Sequence, residues 1–363
     1  MQVEVVRPAE LGDSQIDAWH AMQDQIAPLA NPFLCPEFAQ AVGRFRTDAR
    51  VAVISDGAEP VGFFPFERHR LGVGRPIGAG LTDCQGLVSV PGAHCDAAEL
   101  LRACGLSVWH FDHLVSAGQP FASPRSAMAR SPVVDLTDGF AAYSQRSRAR
   151  SPRFWRDMGR ESRKIEREVG PLKLVVGSRD SRDLHTLMGW KSDQYRRTGR
   201  LDRFASPWVV GMVEHLLRYR QKGFRGILSV LYADGAPVAG SFDLRYGDVL
   251  AGWFAAYDTG FGKYSPGRVH LVRMLEEAAA LGVHSIDMGK GEKWYKEKLK
   301  SYDLVVAEGT ATSRSPLAAV HRARLAPPSW AVRQIRAHRG LFAIADRALK
   351  GYGRLHSRLR PMR

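Results

Sequence analysis

Cysteine is scarce in this chain: there are four in 363 residues (Cys35, Cys84, Cys95 and Cys104), all in the first third. None belongs to a Cys-x-x-Cys pair, which excludes the usual zinc-finger spacings and a thioredoxin-like motif. His94, His110 and His113 flank Cys95, but their spacing fits no common zinc pattern, so no metal is expected. Long apolar runs are missing as well, and nothing approaches the ~18 residues that cross a bilayer. No secretory leader opens the sequence, so the thiols read as reduced and the protein as cytoplasmic. A nucleotide P-loop is also absent. The run Leu71-Gly-Val-Gly-Arg-Pro-Ile-Gly-Ala-Gly80 lacks a Gly-Lys-Ser/Thr ending and has no evident helix behind it. It reads as a structural turn.

Acidic residues are missing from particular places. From Arg314 to Arg363 there are twelve Lys/Arg against one acid, Asp346, a net of +11. Ser144–Glu168 has nine basic residues and four acids, a net of +5. The whole chain carries +15, so the rest is close to neutral. Basic segments of this kind favour anionic partners such as phosphorylated substrates, tRNA or an acidic membrane surface, or else serve as solvated, solubilising faces.

With 45% hydrophobic and 25% charged residues the composition is that of a globular protein, and the length suggests two domains. An internal echo supports the division. Val51–Phe66 reads as strand, Asp56-Gly57 turn, strand; Leu228–Leu244 repeats the plan around Asp234-Gly235. This suggests two copies of one α+β unit, at about 1–140 and 169–313. An Arg-rich helical connector (141–168) joins them and a basic helical tail (314–363) follows, with an amphipathic helix at Ser329–Lys350. Helices are expected from about Ser181 and over Pro207–Lys222, with a strand at Leu172–Val176. Leu304–Ala311 is expected to close the sheet.

The richest stretch is Val249–Leu281. A strand (Val249–Tyr257) turns through the Gly-rich loop Asp258–Gly267 into a helix in which Leu271, Met274, Leu275 and Ala278 recur at helical spacing. Helix N-termini expose unpaired N–H groups and the positive end of the dipole, which suits phosphate-type anions. Phe261, Lys263, Ser265, Pro266, Gly267 and Arg268 are the candidate contacts, with Gly289 across the cleft. An ordinary strand–loop–helix connection would look similar.

The order hairpin, strand, Gly-rich loop, helix, strand, helix, final strand resembles the core of the GNAT (Gcn5-related N-acetyltransferase) superfamily. Several motifs are similar to its CelD-type branch, associated with cellulose and exopolysaccharide biosynthesis. They are Trp190-Lys191, Gln194-Tyr195, Thr198-Gly199, Phe204 with Pro207-Trp208, Tyr257-Asp258, Tyr264–Gly267, Asp287–Gly291 and Tyr295-Lys296, preceded by Asn31–Leu34, Thr82-Asp83 and Gln85-Gly86. The resemblance implies an α+β fold of two tandem GNAT-like domains, each a mixed, mostly antiparallel twisted sheet flanked by helices. It also implies acetyl-CoA or another acyl-CoA as co-substrate and an amine acceptor. The usual pyrophosphate signature is replaced here by Phe261–Arg268. Fem-type transferases share the tandem plan but take an aminoacyl group from tRNA, so that donor stands as the alternative, as does a non-catalytic accessory role.

Acyl transfer from a thioester to an amine needs a neutral amine, a polarised carbonyl and a proton for the leaving thiolate. Asp243, Asp258 and Glu292 are candidate bases, although Asp258 also suits a turn that caps its own backbone. Tyr295 is a candidate acid or a packing residue. Lys296 is a phosphate or carboxylate ligand by resemblance, or one lysine in a basic helix. Trp190, Lys191, Gln194 and Tyr195 share a helical face that suits a sugar-type or small-molecule acceptor, or the core. Asp83 is expected to reach the same cleft from the first domain.

Overall fold

Both Asp-Gly turns close hairpins, with Gly57 at φ +60° and Gly235 at +77° supplying the left-handed backbone that tight turns require. The architecture is a computed structural model that describes residues 2–319 and 321, apart from 79, 94, 116, 117, 125, 222 and 292, with backbone only at Gln221. Glu292 and the helix expected at Ser329–Lys350 therefore lie outside the described residues.

The first half runs β1 (Gln2–Val6), α1 (Asp13–Asp24), α2 (Pro36–Phe45), β2 (Ala49–Asp56), β3 (Glu59–Arg68), β4 (Val73–Pro76), β5 (Val88–Ser89), α3 (Ala97–Ala103), β6 (Val108–Val115) and β7 (Ala127–Asp135). Two helices connect the halves, α4 (Gly139–Arg150) and α5 (Pro152–Glu168). The second half follows with β8 (Leu172–Val176), α6 (Ser181–Arg197), α7 (Pro207–Arg218), β9 (Arg220–Gln221), β10 (Phe224–Ala233), β11 (Ala236–Tyr246), β12 (Val249–Tyr257), α8 (Pro266–Ala280), β13 (Ser285–Asp287), α9 (Trp294–Leu299) and β14 (Tyr302–Thr312). The chain breaks between α4 and α5 at Ser151, because the residue before a proline is pushed out of the helical region.

The described strands form one sheet in the order β1-β2-β3-β4-β6-β14-β7-β13-β12-β11-β10-β8, with β5 beside β3 and β9 beside β10. Read inward from either edge, the pairing is the same: three antiparallel contacts, one parallel contact (β4–β6 or β12–β13), then one antiparallel. The two halves therefore share one pairing pattern, with an Asp-Gly hairpin at the same place in each. At the centre the halves exchange strands: β7 pairs with β13 of the second half, and β14 lies between β6 and β7. The last strand thus fills the middle of the sheet; it does not close an edge.

One buried cluster includes Trp19, Phe33, Phe38 and Phe63 together with Leu184, Met212, Leu216 and Phe242, so the halves share a core. On the other side of the second half, α5 and α8 bury Phe154, Trp155, Met158, Met274 and Leu275. Helix α7 stops at Arg218, short of the expected Lys222, because Tyr219 turns extended and the chain enters β9.

Candidate active site

Strands β12 and β13 run parallel for only three residues, Val249–Ala251 against Ser285–Asp287. Beyond Ala251, β12 continues to Tyr257 paired only with β11. Trp253 is an extra residue there, since Phe242 faces Phe254 while Asp243 faces Gly252. Such a bulge bends a strand and increases its twist. The Trp253 indole donates to the Leu81 carbonyl at 2.7 Å, which ties the bend to the first half. Strand β13 ends where Gly289 (φ +74°) turns the chain, and its N–H donates to the Asp287 carboxylate at 2.9 Å. The parallel strands therefore splay.

At the far end of β12, Asp258 accepts from the Gly260 N–H at 2.8 Å and caps a short 3-10 helix, Thr259–Tyr264, inside the stretch expected to be open loop. Ser265 is left-handed (φ +55°), and Pro266 starts α8 with its N-terminus at the cleft. A Cβ on Gly267 would stand 3.2 Å from the Tyr257 ring. Arg268 lies 5.1 Å over the Trp294 ring and donates to Ser265, while Lys263 lies 4.7 Å over Tyr264. Ser265, Pro266, Gly267 and Arg268 thus sit at one helix start, with Phe261 and Lys263 on the preceding turn.

Opposite, polar groups from both halves converge. Asp83 lies 3.5 Å from His113 Nε2 on β6, and His113 Nδ1 lies 3.0 Å from Asp112. Gln85 fixes this loop: its amide donates to Asp112 at 2.6 Å, and its carbonyl accepts from the Asp112 and His113 N–H groups. Asp287 accepts from Ser131 of β7 at 2.5 Å and from Asn31 at 3.2 Å. Lys296 is buried and donates to the Gly289 carbonyl at 2.8 Å. A Cβ on Gly289 would stand 3.1 Å from Asp83 Oδ2, so glycine lets the two halves meet. Lys191 of α6 donates to the Ala255 carbonyl at 3.1 Å, on the splayed part of β12, and lies 5.4 Å over the Tyr195 ring.

Burial dominates the electrostatics. It pushes the Asp83 carboxyl up to about 6, with Asp287 adding to the rise and His113 and Lys296 opposing it. Burial also raises Asp287 and lowers Lys296, whose charge Asp83 and Asp287 help to hold. Lys191 is pushed down to about 8 by burial and then by Arg200, while Asp83 opposes. An acid near 6 and amines below their usual range suit proton transfer near neutral pH.

The structure brings Asp83, Gly289, Lys191, Tyr195 and Lys296 to one cleft and adds His113 and Asp287. Gln194 follows Lys191 by one turn, and its side-chain carbonyl is buried without a hydrogen-bond partner among the described residues. Trp190 packs on the shared core. Tyr295 packs on the α8 side, and burial raises its phenol. Asp243 points with Ser241 to the face of β11 opposite Phe242 and Leu244, hydrogen-bonded to Ser241 at 2.5 Å. His113 belongs to no motif and reaches Asp83 only through the fold.

Burial pushes Asp243 up to about 7, against hydrogen bonds from Ser241 and the Trp253 backbone. A raised folded pKa gives stability that is complete below the ordinary carboxyl value and lost as pH rises through about 7. Asp243→Asn should therefore show a stability gain over the wild type that grows between pH 4 and pH 8, toward a limit of ~4 kcal/mol. Urea denaturation at both pH values checks this, and a pH-independent difference would contradict it.

Residues 152–297 match the family described as "Acetyltransferase (GNAT) domain". Among solved structures, the C-terminal domain (DUF2156) of a putative lysylphosphatidylglycerol synthetase from Agrobacterium fabrum is 13% identical. It covers 85% of this chain and 95% of its own at a TM-score of 0.50. FemX is 11% identical (85% and 96% covered, TM-score 0.49). A tandem GNAT protein from the clavulanic acid biosynthesis pathway is 12% identical (86% and 98%, TM-score 0.46). At these identities the likeness concerns the fold alone. No curated protein matches the sequence. No helix among the described residues is long and apolar enough to cross a membrane.

Proposed function

We propose that the protein is an N-acyltransferase of the CelD-type branch. It moves an acyl group, acetyl in the simplest case, from acyl-CoA to an amine on a sugar, envelope or natural-product precursor. The observation that carries this reading is the meeting of Asp83 and His113 with Gly289 and Lys296 at the mouth of the splay. The run Gly252–Tyr257, which among the described strands pairs only with β11, offers its remaining backbone groups to an extended thioester arm, and the start of α8 offers the Gly267 N–H and the positive end of the helix dipole to its phosphates. The acceptor ammonium gives a proton to Asp83, with His113 beyond it. The neutral nitrogen attacks the thioester carbonyl, the C–S bond breaks, the acylated nitrogen loses its extra proton to water, and the thiolate takes a proton from Tyr295 or water. Lys191 and Gln194 face the acceptor.

Purified protein incubated with acetyl-CoA and a panel of amino sugars should release free thiol only when an amine is present. Mass spectrometry should show acylated nitrogen. Amine-independent release, or transfer from aminoacyl-tRNA alone, would replace this reading.

A further inference from the structure

Helix α5 carries Arg153, Arg156, Arg160, Arg163 and Arg167, each exposed. Their spacing of 3, 4, 3 and 4 residues keeps all five on one stripe. The stripe spans fifteen residues, about 21 Å from first to last, with a guanidinium every ~5 Å. Arg160 and Arg167 have acidic neighbours, Asp157 at 3.2 Å and Glu168 at 3.0 Å. Arg153, Arg156 and Arg163 have no carboxylate within 4.0 Å among the described residues. A groove runs along the start of this stripe between α5 and the end of α4, where Arg148 lies 4.6 Å over the Trp155 ring. Its floor is bare at Gly159, in the middle of the helix, where glycine costs about 1 kcal/mol relative to alanine. Among the described residues, a Cβ there would meet within 4 Å only the flexible tip of Arg163.

We propose that this groove binds the phosphodiester backbone of a single nucleic-acid strand. A single row of guanidinium groups faces a single row of phosphates, and arginine rather than lysine dominates, which suits forked contacts to phosphate oxygens. A bilayer fits less well. A helix lying in a membrane interface must sink its apolar face, and α5 has already buried Phe154, Trp155, Met158 and Ile165 in the protein. A flat headgroup plane would also miss the floor at Gly159. The site is separate from the acyl-transfer cleft but adjoins the donor turn: Phe154 meets Trp294 at 6.0 Å, and Trp294 lies under Arg268. Binding through phosphates alone reads no base sequence.

The test uses the full chain, so the basic tail is present in every sample, and a 20-nucleotide oligouridylate as probe. The combined variant Arg153→Gln, Arg156→Gln, Arg163→Gln should flatten the salt slope by about 2 and weaken binding about a hundredfold at 0.1 M salt. Arg44→Gln, Arg70→Gln, Arg102→Gln removes the same charge from other exposed sites and should leave most binding intact. Gly159→Leu fills the groove at unchanged charge and should weaken binding at least tenfold, with circular dichroism confirming the fold. Equal losses in both triple variants, or full binding by Gly159→Leu, would overturn the groove. Loss of phosphatidylserine-vesicle binding in the α5 variant, without oligonucleotide binding by the wild type, would make the stripe a membrane surface and overturn the proposal.

Discussion

Asp83→Asn should lower kcat/KM by about 10²- to 10⁴-fold, the range a positioned acid–base group supplies, while raising the melting temperature at neutral pH. Both effects have one origin. Burial, with Asp287 adding to it, lifts the Asp83 carboxyl to about 6, so its ionised form exists at neutral pH at a cost to folding. Because the folded pKa is raised, the group's stabilising contribution is complete below the ordinary carboxyl value and lost as pH rises through about 6. Asparagine cannot ionise, so the variant should gain stability over the wild type at pH 7.5 and little at pH 4. The rate has the opposite dependence: a base must be unprotonated, so wild-type kcat/KM should rise with pH through about 6. The variant should lose that limb. About one third of the Asp83 side chain is exposed, enough for an acceptor to reach it. Full turnover in the variant with the acid limb intact would move the base elsewhere.

The part of the site that was legible in the sequence is the part built locally. β12 and α8 lie within a few residues of the stretch read from apolar spacing and glycine placement, and β8 coincides with Leu172–Val176. Both Asp-Gly hairpins formed because two residues fix each turn whatever surrounds them. The illegible part depends on pairing across long separations. Ser131 meets Asp287 across 156 residues, and Asn31 meets it across 256. Neither neighbour can be inferred until β7 is known to cross into the second half. His113 is hidden for the same reason, since a histidine on a strand of a first-half unit gives no sign of lying near the second-half Asp287. Local chemistry also changed one detail: Asp258 supplies an acceptor for the Gly260 N–H, which winds part of the Gly-rich stretch into a 3-10 helix.

Gly267→Asp should abolish acetyl-CoA binding without unfolding the protein. The position lies in the first turn of α8, where an L side chain takes up the backbone conformation without strain and where a carboxylate favours the helix dipole. Its Cβ would press on Tyr257 at 3.2 Å, a contact the ring can relieve by a few tenths of an ångström. The negative charge would nevertheless occupy the end of the helix that the donor phosphates require, and two like charges cannot share it. Gly267→Ala separates the two effects, since it keeps the contact with Tyr257 and omits the charge; it should bind more weakly than wild type but measurably. Arg268→Ala should be milder than the aspartate, because the Gly267 N–H and the helix dipole remain. A hundredfold excess of acetyl-CoA over its dissociation constant should stabilise the wild type by ~2.7 kcal/mol, and that shift should vanish in Gly267→Asp. Calorimetric titration and thermal melts of the four proteins decide it. Equal affinity in wild type and the aspartate variant would place the donor away from α8. Absence of binding in all four would leave an aminoacyl-tRNA donor as the better explanation of the cleft.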